Sequence, residues 1–100
     1  MLDNANFQYA IVDNAKLERA RLVKANLSNA HLSKSSMFLA DLRGANLQNA
    51  NLIEADLRGA DLRGANMEGA LLGNTNLDGT IMPNGSQGVG IYPIDTPQNG

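Results

Sequence analysis

Residues 40–64 read ADLRG ANLQN ANLIE ADLRG ADLRG, five consecutive quintets that each have alanine at the first position and leucine at the third. The spacing extends in both directions from this stretch. An apolar residue occupies every fifth position from Leu2 to Met82, seventeen times without a slip, and from Ala5 onward a small residue lies two positions before each one. A period this regular predicts one repeated structural unit along the chain.

The five-residue step excludes both regular secondary structures. In an α-helix a step of five residues moves each leucine about 140° around the axis, so no apolar stripe forms. In a flat strand the odd step sends successive leucines to opposite faces. A chain that turns a corner in every quintet instead directs all the leucines to one interior. Four right-angled corners then close a coil of twenty residues.

Positions twenty residues apart should stack on one another in such a coil. One column consists only of asparagine: Asn6, Asn26, Asn46 and Asn66. We expect their side-chain amides to hydrogen-bond along the stack, as identical amides do in cross-β structures. The same register predicts continuous apolar columns, and the core residues that it predicts are Phe7, Leu27, Leu47, Met67, Leu32, Leu52, Leu57 and Leu62.

Corner positions favour tight turns, since eleven of the seventeen carry glycine or asparagine, which tolerate positive φ. With repeats such as Ala40–Gly44, Ala55–Gly59 and Ala60–Gly64, the sequence resembles the pentapeptide-repeat family over residues 1–84. The resemblance implies an all-β fold, a right-handed quadrilateral β-helix of about four coils of 20 residues. The chain departs from the family's Asp or Asn before the centre at seven positions: Ile11, Lys16, Arg21, His31, Ser36, Leu71 and Ile81.

Both ends of the repeat need cover, because the terminal coils of a solenoid expose apolar residues and open strand edges. Leu2 is already in register, which predicts either a piece of a longer protein or another subunit over that end. Residues 85–100 form a non-repeat tail. Its apolar residues either fold over the last coil as an end cap or belong to a disordered terminus: Val89, Ile91, Tyr92 and Ile94. Residues 80–86 also resemble the endings of cyanobacterial members of the family.

Composition narrows the class of protein. The chain of 100 residues has no cysteine, four per cent aromatic residues and a net charge of −2. Apolar runs are too short for a membrane span, and the first thirty residues lack the pattern of a signal peptide. We therefore expect no membrane partner and a cytoplasmic location by default, with a lumenal or periplasmic location if the chain is cut from a longer precursor.

No catalytic, cofactor or metal site is predicted. His31, Ser33 and Asp13 should project from one outer face, but a flat solenoid wall offers no oxyanion hole and no means of excluding water. A lone histidine without cysteine is a poor metal site. The pairs Asp41 with Arg43 and Asp61 with Arg63 predict a lattice of surface ion pairs.

Outward-facing apolar residues are the candidate partner contacts: Val23, Phe38, Leu39 and Ile53. We expect Val23, Phe38 and Leu39 to lie along one edge, where an exposed apolar patch could receive a partner. Scattered surface residues or local packing are the alternative interpretation.

The sequence thus predicts a non-enzymatic structural module, a rigid β-helical scaffold that presents its faces and ends to a protein partner or to a second copy. The resemblance offers an alternative, a DNA-mimic protein that binds DNA gyrase or topoisomerase. Mimicry needs a dense acidic surface, whereas residues 1–50 carry six bases and four acids and residues 51–100 carry two bases and six acids. We expect no direct binding of nucleic acid and, because the interior is filled, no small-molecule substrate.

Overall fold

The fold is a coil of short bridged segments. The computed structural model describes residues 1–91, and its β-pairing in the repeat consists of isolated parallel bridges between residues twenty apart. Four columns of bridges begin at Asn6, Ile11, Lys16 and Arg21 and each rise through three further residues. Residues 1–91 contain no helix, and so none that could cross a membrane. The chain is a β-helix with the twenty-residue register that the sequence predicts.

Backbone hydrogen bonds connect each segment to the coils on both sides. The N–H of Asn26 donates to the carbonyl of Ala5 at 2.8 Å, in the preceding coil. The N–H of the next residue, Leu27, donates to the carbonyl of Asn46 at 2.7 Å, in the following coil. Because this alternation recurs on every face, the bridge residues satisfy their polar backbone groups between coils.

Each corner is closed by a hydrogen bond between residues three apart. At a representative corner, the N–H of Ala45 donates to the carbonyl of Leu42 at 3.0 Å, and Gly44 has a φ of +69°. This combination is that of a type II turn. Positive φ occurs at every corner from Asn4 to Gly79, including six that carry neither glycine nor asparagine: Tyr9, Arg19, Lys24, Lys34, Leu39 and Glu54. The packed coils therefore impose the left-handed conformation on residues that disfavour it.

The interior is filled by the repeated leucines and small residues. The six predicted core leucines, from Leu27 to Leu62, are no more than 1% exposed, as the sequence predicts. Phe7 and Met67 are only half-buried, because each lies in the first or last coil of its column. Where a hydroxyl replaces alanine, it finds a backbone acceptor: Thr80 donates to the carbonyl of Leu57 at 2.5 Å. No buried side-chain polar atom in the described part of the chain lacks a partner.

The asparagine column corrects one prediction. Asn6, Asn26, Asn46 and Asn66 do stack through their backbones. Their side-chain oxygens, however, accept from the backbone N–H two residues ahead, as Asn46 does from Gln48 at 3.0 Å. Within residues 1–91 no hydrogen bond joins two of these amides. The prediction of an amide ladder was wrong because the nearby backbone N–H is a closer donor for the same oxygen.

After Met82 the chain turns back along the last coil. Ile81 and Gln87 form an antiparallel bridge, and the N–H of Gly88 donates to the carbonyl of Thr80 at 2.7 Å. This contact is made by backbone, since the Val89 side chain is 84% exposed. Tyr92 and Ile94, the other apolar residues predicted to cover this end, lie outside the described residues.

Candidate functional site

Phe38 and Leu39 form an apolar corner on the outer wall. Leu39 is 42% exposed, and Phe38 is half-buried. Leu39 leans over the glycine one coil further on, because a Cβ added to Gly59 would lie 2.6 Å from Leu39 Cδ2. The missing side chain at Gly59 therefore leaves the space in which Leu39 rests.

The Phe38 ring lies between two arginines from the neighbouring coils. The guanidinium carbon of Arg58 is 5.2 Å from the ring centroid, and that of Arg19 is 6.0 Å from it. Arginine is attracted to the face of an aromatic ring at such distances. The twenty-residue register produces this arrangement, since Arg58 stacks directly on Phe38 and Arg19 occupies the corner of the preceding coil.

The two arginines differ in their ionic contacts. Arg58 binds Asp56 through two hydrogen bonds of 2.9 and 2.7 Å. Arg19 has no carboxylate within salt-bridge distance among residues 1–91. The other four arginines each form an ion pair with an aspartate: Arg21, Arg43, Arg58 and Arg63. Arg19 therefore presents an unused guanidinium beside an aromatic ring.

The predicted lattice of surface ion pairs is present. Arg43 binds Asp41 at 2.8 Å, and Arg63 binds Asp61 at 2.6 Å on the same face. Hydrogen bonds from the guanidinium groups hold the pKa of both carboxyls below the usual value, against the opposing effect of burial. These acids are occupied by arginine and are therefore poor ligands for another cation.

The four predicted contact residues do not form one edge. Phe38 and Leu39 share a corner, whereas Val23 ends the next face of the coil and Ile53 ends the preceding face. Val23 instead stacks between Asp3 and Arg43, and its N–H donates to Asp3 Oδ1 at 2.9 Å. The expected clustering of Val23 with Phe38 was wrong because positions fifteen residues apart occupy different faces of a twenty-residue coil.

On the outer face that carries His31, Ser33 and Asp13 bind each other and not the histidine. The Ser33 hydroxyl donates to Asp13 Oδ1 at 3.1 Å, as expected of residues one coil apart. No hydrogen bond connects His31 to either of them within the described chain. No grouping of His, Asp or Glu in residues 1–91 is suited to hold a metal ion.

Three exposed apolar residues of the repeat were not predicted as contacts. Tyr9 is 67% exposed, Ile11 is 76% exposed and Leu71 is 51% exposed, each more than any residue of the predicted contact set. Tyr9 lies at a corner and the other two lie directly before a centre, whereas the contacts were predicted chiefly from the position after the centre. An apolar residue at any outward position of the quintet is the signal that would have found all three.

Comparisons with known proteins agree with this fold. The family model of pentapeptide repeats matches residues 2–37 and 40–82 in eight copies. No match was found among proteins of curated function.

Several solved structures are similar. A pentapeptide repeat protein from Nostoc Pcc 7120 is 34% identical with a TM-score of 0.52, and the match covers 75% of this chain and 68% of the other. One from the cyanobacterium Cyanothece 51142 is 38% identical, with coverages of 80% and 58% and a TM-score of 0.47. One from the Arabidopsis thaliana thylakoid lumen is 25% identical, with coverages of 88% and 68% and a TM-score of 0.48.

The names of these three proteins refer to the repeat and not to a catalytic activity. This chain spans between 58% and 68% of the lengths of these three proteins. The five-residue period, the bridged coil and the match over most of the sequence together show that this chain belongs to the pentapeptide repeat family.

Proposed function

We propose that this chain is a non-enzymatic interaction scaffold, a right-handed quadrilateral β-helix of about four coils whose outer wall binds a protein partner. The observation that carries the proposal is the corner of Phe38 and Leu39, where apolar surface and an unused arginine lie side by side on a rigid wall. A wall of this kind binds by preorganised shape, since its backbone is fixed by hydrogen bonds to the coils on both sides.

The packed interior supports a role without chemistry. The core leucines and alanines from Leu22 to Leu62 are at most 1% exposed and leave no space for a substrate in the middle of the stack. Many of the Asp and Asn side chains on the wall are engaged in turns and ion pairs. We therefore favour protein binding over catalysis or small-molecule binding.

Mimicry of DNA is the less favoured function. Four aspartates are each neutralised by an arginine, so the wall does not present a continuous acidic stripe: Asp3, Asp41, Asp56 and Asp61. A mimic of duplex DNA needs a dense surface of one sign. Binding to gyrase is accordingly not part of the proposal.

A second copy that binds at the ends of the solenoid is the other partner compatible with the sequence. Light scattering across a range of protein concentrations distinguishes a second copy from a different protein as the partner.

A cytoplasmic location is also part of the proposal, with a lumenal or periplasmic location as its alternative.

Affinity capture from the source organism tests the proposal. The bait is compared with Phe38→Glu and with the matched control Gln48→Glu, which places the same charge at the same position of a quintet on another face. We expect one partner to be retained by the parent and the control and to be lost from Phe38→Glu. Equal capture by all three baits, or turnover of a small molecule by the purified chain, would contradict the proposal. Circular dichroism establishes that each variant is folded.

A further inference from the structure

Arg19, Phe38 and Leu39 together have the chemistry of a site for an acidic peptide. Resting on the proposed function, we propose that this corner binds a segment of the partner in which an aspartate or glutamate adjoins an aliphatic residue. The carboxylate pairs with the Arg19 guanidinium, and the aliphatic side chain packs on Leu39 and the edge of the Phe38 ring.

The arginine provides the first part of this argument. Four of the five arginines bind a carboxylate of this chain, three of them through two guanidinium nitrogens, Nε and Nη2. Arg19 instead lies over the ring of Phe38. A guanidinium held by an aromatic face keeps its planar set of donors available for a carboxylate.

The apolar part of the corner provides the second. Leu39 remains 42% exposed although its side chain already rests in the space above Gly59. An aliphatic residue of the partner would remove this surface from water, which is favourable in proportion to the apolar area buried. A partner with acidic residues alone would leave that surface uncovered.

The charged residues around the corner favour a partner segment of negative charge. On the face that carries Phe38, residues 15–19 and 35–39 of the first two coils contain two bases, Lys16 and Arg19, and one acid, Glu18, which directly precedes Arg19. The Asp56 carboxylate near the ring is already bound by Arg58. Electrostatic attraction therefore favours an acidic segment and disfavours a basic one.

The corner has a coil of the repeat on each side. Phe38 is covered by Arg19 in the preceding coil and by Arg58 in the following coil. Tyr9 and Ile11 are more exposed, but they lie in the first coil, which has a neighbouring coil of residues 1–91 on one side only.

A titration monitored by NMR tests the inference with defined probes. The ligand is an acetylated and amidated heptapeptide of alternating glutamate and leucine, added up to millimolar concentration to the labelled full chain. We expect shifts of the Phe38 and Leu39 amides and of the Arg19 Nε–H, and about tenfold weaker binding to Arg19→Gln. Lys34→Gln is the matched control, because Lys34 is another exposed cation at a corner with positive φ, 59° against 58° for Arg19.

Three results would overturn the inference. These are equal affinity for Arg19→Gln and the parent, equal shifts with a lysine–leucine peptide or a short DNA duplex, and no shift at these residues with the acidic peptide. A glutamate–serine peptide should bind more weakly than the glutamate–leucine peptide if Leu39 contributes. If capture still depends on Phe38 while the peptide does not bind, the proposed function stands and only the chemistry assigned to the partner fails.

Discussion

Asp13 Oδ1 accepts hydrogen bonds from both the backbone N–H and the hydroxyl of Ser33, each at 3.1 Å, across one coil boundary. In most quintets that N–H is bound by an Asp or Asn two residues earlier, but His31 occupies the position here. In the same way, the N–H of Val23 donates to Asp3 Oδ1 at 2.9 Å, because Arg21 occupies the position of the usual Asp or Asn. The wall tolerates departures from the repeat at these two places because the preceding coil supplies the missing acceptor.

Removing that acceptor should weaken the wall locally. We expect Asp13→Ala to lower the free energy of unfolding by about 1 kcal/mol, since the Ser33 N–H loses its partner. Asp13→Asn keeps a side-chain oxygen and should cost less. Urea unfolding of both variants checks this expectation, and equal losses for alanine and asparagine would show that the hydrogen bond contributes nothing.

Replacing a bulky residue by glycine at a corner with positive φ should stabilise the protein. Glu54 has a φ of +62°, so we expect Glu54→Gly to raise the free energy of unfolding by about 0.5–1 kcal/mol after the greater flexibility of the unfolded chain is included. In the converse change, Gly64→Ala, the added Cβ lies no closer than 3.8 Å to any other atom. We therefore expect the free energy of unfolding to fall by about 1 kcal/mol through backbone strain alone. Thermal unfolding measures both, and a change of the same sign in the two variants would contradict the assignment of strain to these corners.

The segment that turns back along the last coil depends on Gly88. A Cβ at this position would lie 2.6 Å from the Leu77 carbonyl oxygen, so Gly88→Ala should detach the segment from the last coil. Hydrogen exchange at the Leu77 amide, which donates to the Gly90 carbonyl, should then accelerate by at least about tenfold. Val89→Ala is the control, because Val89 is 84% exposed and should leave the exchange rate unchanged. Unaltered exchange in Gly88→Ala would show that the segment contributes no protection.

Acid should weaken the surface ion pairs. Hydrogen bonding to Arg63 lowers the pKa of Asp61 below its ordinary value of 3.8. The stabilisation is therefore complete above pH 3.8 and is lost as the pH falls from there through the pKa of the folded protein. We expect Asp61→Asn to reduce this acid dependence by less than about 1 kcal/mol, since the pair lies on the surface. Unfolding measured from pH 7 to pH 2 tests the sign, and a larger acid-induced loss in the variant would contradict it.

The sequence predicted the coil, its register and its core because the five-residue step leaves one geometry that gathers every central leucine. It did not predict the asparagine bonding, since an amide oxygen in that column reaches either a stacked amide or a backbone N–H, and only coordinates decide between them. The prediction that Val23 lies beside Phe38 was wrong for a different reason. The two residues are fifteen positions apart, and in a coil of twenty residues this spacing places them on different faces.

The environment of Phe38 could have been predicted more fully. Arg58 lies twenty residues after it and Arg19 nineteen residues before it, so the register alone brings both next to the ring. That Arg19 has no carboxylate within salt-bridge distance among residues 1–91 is not visible in the sequence, because Glu18 adjoins it in the chain. In the described part of the chain the Arg19 guanidinium lies over the Phe38 ring instead.

Photo-cross-linking from the corner tests the proposal of a protein-binding wall most directly. Benzoyl-phenylalanine is placed at Leu39 and, as the control, at Asn49, which occupies the corresponding corner of another face with the same φ of 59°. We expect one defined protein cross-linked from position 39, none from position 49, and loss of the product when Arg19→Gln is added. The same products from both positions, or none from either, would contradict a binding surface at this corner.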